Sequence, residues 1–264
     1  MSARRPRRPV RKKQRSQAAT WYRQPELLDA LVLGTWSLAL FRYWFTGQLF
    51  LLLHPNYMWL PNGSAFVLLA MAGFKLMQFR RRANRISASN HSTLLPPRFS
   101  SLVLLAIAVL SLMYTPQAFA SDKAIQRGIS DSLTLTRSQP QRFVRQTASE
   151  ERTVIDWIRT LNVYPEPDAY TGQAVKLSGF VIHPEDWPEE YLLISRFVLT
   201  CCAADAYPVG LPVQLAVSRQ AYAPDTWLEI EGKMTTTTIN DQRQLTIEPT
   251  KLETIPEPRN PYEY

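Results

Sequence analysis

Arg196-Phe197-Val198-Leu199-Thr200-Cys201-Cys202-Ala203-Ala204-Asp205-Ala206 holds both cysteines of this 264-residue chain and lies at the centre of its most globular-looking region. Phe197 to Thr200 are β-formers, so the stretch reads as a strand that ends at the cysteines. Successive strand side chains face opposite ways. Cys201 shares the parity of Phe197 and Leu199 and is expected to be buried, whereas Cys202 is expected to face out. Adjacent cysteines bond to each other only through a strained ring, and on a strand they point apart, so two free thiols are expected. One reading makes them a small core residue and an incidental thiol. The other gives them metal or thiol chemistry. A structural zinc needs three or four ligands, and the usual C-x-x-C pairs are absent; His183, Asp205, Glu185 and Asp186 are the residues able to complete a site for a divalent metal ion with Cys201 and Cys202. Arg196, Cys201, Cys202, Asp205 and His183 are therefore the candidate binding residues.

Working outward, the apolar pattern has the period of strands at 173–183, 192–202, 213–218, 227–234 and 245–255, separated by Pro, Gly, Asp and Asn turns. Five strands predict a small all-β barrel. Gly179 and Gly232 suit the bends by which a short sheet closes, and together with Asp225-Thr226-Trp227-Leu228-Glu229-Ile230-Glu231-Gly232 they resemble an OB-fold. A β-sandwich would need more strands than are found here. Val154, Ile155, Trp157, Ile158 and Leu161 form one face of a preceding helix, stopped by Pro165 and Pro167. The domain so defined runs over 147–264, and the polar stretch 121–146 reads as a linker.

Charge divides the chain. Residues 1–120 carry 16 Lys and Arg against two acids, and residues 121–264 carry 14 against 20. Residues 1–26 form a basic arm. In 27–120, apolar runs at 27–45, 60–79 and 101–120 predict three membrane-spanning helices, with uncharged aromatic residues at 54–59 between the first two and Arg80, Arg81, Arg82, Arg85 and Arg98 between the last two. Positive residues stay on the cytoplasmic side, which predicts a multi-pass protein of the plasma (inner) membrane with a cytoplasmic N-terminus and an extracytoplasmic β-domain. Asp29 and Arg42 are expected to snorkel to opposite interfaces. Ala118-Phe119-Ala120 also resembles a signal-peptidase site.

The basic arm alone would suit nucleic acid, but topology and anionic lipid explain it, and the β-domain is acidic with no basic and aromatic interleaving, so no nucleic-acid partner is expected. His54, His91 and His183 are scattered, and no triad or phosphate loop occurs, so no enzyme is expected.

The chain resembles the YcgQ-like family of small membrane proteins. The resemblance rests on His54-Pro55, Ala124-Ile125-Gln126-Arg127-Gly128-Ile129, Gly172 with Gly179-Phe180-Val181, Arg196-Phe197 followed by Cys201-Cys202-Ala203-Ala204-Asp205-Ala206, and Asp225-Thr226-Trp227 with Gly232. It implies the accessory half of a two-component permease whose partner is a larger polytopic permease subunit. The basic arm and the tail 256–264 lie outside the pattern. The functional expectation is thus a membrane-anchored accessory subunit whose outer domain binds substrate or gates the partner; the alternative is a metal- or redox-responsive module using Cys201 and Cys202.

Overall fold

The computed structural model describes residues 25–81, 97–129 and 148–264, so the basic arm (except its last two residues), the arginines from Arg82 to Arg85 and most of the linker lie outside the described residues. The described residues divide between two compact units, one of 25–40, 63–81 and 97–113, the other of 41–62, 114–129 and 148–264.

The first unit is helical and corrects the three-span expectation. Its helices come from α1 (Pro25–Phe45), α2 (Trp59–Arg81) and α3 (Pro97–Met113). Among the described residues, one helical stretch, Pro55–Arg80, is long and apolar enough to cross a membrane, while the apolar part of α3 is only Phe99–Met113. Length is not what disqualifies α1, whose 21 residues include Asp29 and Arg42. Asp29 does not snorkel: its carboxylate pairs with Lys75 at 3.2 Å and accepts a hydrogen bond from Ser101 at 3.3 Å, which ties the three helices together. With one qualifying helix, Arg80 and the basic arm flank it on opposite sides, and the charge asymmetry no longer assigns the β-domain a compartment.

The second unit is built on six strands, β1 (Ala174–Ile182), β2 (Tyr191–Val198), β3 (Tyr207–Gln214), β4 (Trp227–Ile239), β5 (Gln242–Thr254) and β6 (Tyr262–Glu263). The five expected strands are joined by a sixth in a mixed sheet of order β1-β4-β5-β3-β2-β6, and because β1 also pairs with β2 the first five close into a ring. Two pairings are parallel, β3 with β5 at Val213 and Ile247 and β2 with β6. β4 runs on past Met234 through four threonines and turns at Asn240 and Asp241, both left-handed (φ 49° and 60°), into β5. Such a pair at the centre of a two-residue turn matches the twist of the strands it joins. β3 starts earlier than the sequence pattern indicates, because Pro208 and Pro212 are tolerated on a strand that meets β5 at a single position.

Both faces of β2 are buried. Leu192, Ile194 and Val198 point into one core with Trp157 and Ile158 of α5 (Val154–Val163). Leu193, Phe197 and Leu199 point into a second core with Phe180, Trp227 and Tyr262. Ala124 of α4 (Ser121–Gln126) is fully buried in this second core, and Leu51 and Phe119 pack against it. Residues 121–129, expected as tether, are therefore part of the packed unit. Helix α5 begins with a capping box in which Thr153 and Asp156 satisfy each other's backbone amides, as its Thr-x-x-Asp sequence requires.

Candidate functional site

The cysteines do not continue the strand. β2 ends at Val198, and Ala203 to Asp205 form a single 3-10 turn that brings the Asp205 carboxylate back over residues 200–202. Oδ2 of Asp205 accepts hydrogen bonds from the Thr200 hydroxyl and from the Cys201 amide at 2.8 Å, while Oδ1 accepts from the Cys202 amide at 3.3 Å. Asp is suited to this because its short side chain reaches backbone amides a few residues away. The parity expectation is thereby corrected: Cys201 is exposed and Cys202 half-buried, and both are free thiols. Their sulfurs converge to 3.7 Å, since strand alternation no longer holds them apart.

Cys201 Sγ, Cys202 Sγ and an Asp205 oxygen lie within 4.8 Å of one another. Two thiolates at roughly 2.3 Å from a tetrahedral zinc stand about 3.8 Å apart, whereas a linear dithiolate would spread them to about 4.6 Å. The observed 3.7 Å fits the first arrangement. Three protein ligands would leave one position open.

Electrostatics in this loop favour the proton form until a metal displaces it. The hydrogen bond to the Asp205 carboxylate, then the neighbouring Cys202, push the Cys201 thiol up to about 12. Burial pushes Asp205 up, but the hydrogen bonds from Cys201, Thr200 and the two amides outweigh it and hold the carboxylate at about 2. Asp205 is thus an anion at neutral pH, and a cation that binds must release thiol protons.

His183, Glu185 and Asp186 do not join this cluster. His183 Nε2 donates to the Tyr222 carbonyl at 2.9 Å, and Arg219 donates to the Pro184 carbonyl at 2.8 Å, which pins the loop after β1 to the segment after β3. Burial, reinforced by the Arg219 charge, pulls the His183 imidazole below its ordinary value.

Arg196 is also apart from the thiols and lies on a polar cleft of about 590 Å³ with Thr153, Asp156, Lys176, Glu263 and Tyr264. Its terminal nitrogens are committed, Nη1 to the Ser178 hydroxyl at 3.2 Å and Nη2 to the Asn260 and Tyr262 carbonyls at 3.3 Å, while the buried Nε has no hydrogen-bond acceptor and stands 3.9 Å from the Glu263 carboxylate. The guanidinium also lies over the Trp227 ring at 5.1 Å. Arg196 is therefore a structural residue that fastens β6 to the sheet. Glu263 completes the fastening by accepting from the Ile155 amide at 2.7 Å and the Val154 amide at 3.3 Å at the start of α5.

Sequence reading missed Glu263 and the segment Leu52–His54. Cys202 makes an isolated antiparallel bridge with Leu53, the His54 amide donates to the Cys201 carbonyl at 3.1 Å, and the Ala203 amide donates to the Leu52 carbonyl at 2.9 Å. The signal available for Glu263 is slight, a single acid between two aromatic residues, Tyr262-Glu263-Tyr264, after a run of prolines.

The mixed β-unit thus presents two cysteines and an aspartate on one braced loop, the donor set of a candidate metal centre. Residues 146–264 match the DUF1980 C-terminal domain family, which supports the YcgQ-like resemblance over that stretch. The match includes the tail 256–264, which the resemblance had left outside, in keeping with its place in the sheet as β6. No curated protein matches the chain.

Proposed function

We propose that the β-unit is a binding module for a thiophilic divalent cation, with zinc the best geometric match, held by Cys201, Cys202 and Asp205. The observation that carries this reading is the ligand triangle, in which two sulfurs already stand at the spacing of a tetrahedral zinc site beside an ionised carboxylate. The loop is exposed enough for a cation to enter and is braced by main-chain bonds on both sides. With one position open, the site suits capture and hand-over of a metal more than permanent structural retention. Equilibrium dialysis of the full-length, reduced protein in mild detergent against Zn²⁺ tests it. One equivalent bound by the natural chain and none by Cys201→Ser/Cys202→Ser is the expected result; equal binding by both removes the reading.

We further propose that the module acts as the membrane-attached accessory half of a polytopic permease. The YcgQ-like resemblance, which implies such a partner, and the apolar stretch Pro55–Arg80 on the same chain favour this reading. Purification from membranes in mild detergent is expected to recover a larger polytopic protein with it, and recovery of the chain alone would count against the partnership.

A further inference from the structure

The segment that leads into the apolar stretch is docked on the candidate metal loop through main-chain bonds alone. Pro55, the first residue of that stretch, directly follows His54, whose amide donates to the Cys201 carbonyl. That carbonyl belongs to the same peptide unit as the Cys202 N–H, which donates to Asp205 Oδ1. A peptide unit is planar and stiff, so a shift at its N–H is a shift at its C=O. The Asp205 carboxylate accepts from the Thr200 hydroxyl and the Cys201 amide at Oδ2 and from the Cys202 amide at Oδ1, the last at 3.3 Å against 2.8 Å for the Cys201 amide.

We propose that a metal held by Cys201, Cys202 and Asp205 loosens the Leu52–His54 segment, so that the site reports its occupancy to the chain entering the apolar helix. The proposal rests on the metal reading above and adds the route. A cation held by the Asp205 carboxylate draws charge from it, so it becomes a weaker acceptor for the Cys202 N–H, and the peptide unit loses part of the donation that polarises its carbonyl. The His54 amide then has a weaker acceptor. His54 is not itself a ligand in this arrangement: its Nδ1 accepts from the Asn56 amide at 3.1 Å, which leaves the proton on Nε2, and its ring packs edge-on against Tyr264 at 4.7 Å.

Coupling is reciprocal, so a change in the segment must alter metal affinity by the same factor that metal alters the segment. His54 has φ −60° and ψ 140°, a conformation proline adopts without strain, so His54→Pro removes the amide donor and leaves the backbone path unchanged. His54→Ala removes the ring and keeps the donor. The test uses the full-length protein in detergent with Zn²⁺ as the probe. Amide hydrogen exchange at His54 is expected to quicken about fivefold on Zn²⁺ binding, and His54→Pro, but not His54→Ala, is expected to bind Zn²⁺ about fivefold more tightly. Stoichiometric Zn²⁺ binding with unchanged or slowed exchange at His54 would overturn the coupling while leaving the metal site standing. Equal affinities for His54→Pro and His54→Ala would overturn it too. No Zn²⁺ binding at all would remove both proposals.

Discussion

Replacing Glu263 by Ala is the sharpest test of how the C-terminal tail holds the β-unit. The carboxylate is 9% exposed, accepts two amides at the start of α5, and is the acidic partner of Arg196, whose side chain is 12% exposed. Removing it deletes the acceptor for Val154 and Ile155, a loss of about 1 kcal/mol by analogy with helix caps. It also leaves the Arg196 guanidinium buried without its carboxylate, which costs about 3–5 kcal/mol when one member of a buried pair is removed. The two losses overlap, and about 3–5 kcal/mol in total is expected. For a unit of this size that lowers Tm by about 6–20 °C. Arg196→Met should cost less, because Glu263 keeps its two amide donors. Arg196→Met/Glu263→Leu should regain most of the loss, since an apolar pair of similar volume often equals a buried ion pair. Urea denaturation of the natural protein, Arg196→Met, Glu263→Leu and the double variant, followed by tryptophan emission, completes the double-mutant cycle, with Glu263→Ala measured beside it. A Glu263→Ala cost below about 1 kcal/mol would refute the reasoning, because it would mean that the tail is not part of the folded unit.

Gly232→Ala drives a Cβ into the Glu248 carbonyl oxygen at the register shift between β4 and β5, so a loss of stability of at least about 2 kcal/mol is expected in the same denaturation assay. The folded-state pKa of His183 is lowered, so the unfolded chain takes up its proton first, and stability is expected to fall as pH drops through about 6.5. The slope of stability between pH 7.5 and 5.5 should be smaller in His183→Gln. In the metal-free protein the Asp205 carboxylate keeps Cys201 in its unreactive thiol form although it is exposed, so Asp205→Asn is expected to speed iodoacetamide labelling of Cys201 at pH 8.

Much of the β-unit was legible because apolar residues recur at a period of two, and residues 173–183 and 227–234 read correctly as β1 and most of β4. What pattern alone does not carry is what ends a strand. Leu199 is as buried as a strand residue, yet the turn back at Asp205 takes over from Val198 onward, and that turn decides where both thiols point. The candidate site was named from residue type, and its metal-binding geometry emerged only when the aspartate turned. His183 failed to join because its loop is held by Tyr222 and Arg219, contacts made across 39 and 35 residues of sequence. The tail was misread because Pro256, Pro258 and Pro261 disguise a two-residue parallel strand, too short to show any period. The three-span expectation fails for a different reason: Asp29 and Arg42 dilute the apolar run of α1, and the helix of the third run ends at Met113, short of Ala120.

The most direct measurement of the metal reading is zinc-edge X-ray absorption on the full-length, reduced protein loaded with one equivalent of Zn²⁺. Cys201, Cys202 and Asp205 predict two sulfur scatterers at about 2.3 Å with the remaining shell of oxygen or nitrogen at about 2.0–2.2 Å. Conversion to an all-oxygen-and-nitrogen shell is expected in Cys201→Ser/Cys202→Ser. A shell without sulfur in the natural protein would contradict the account.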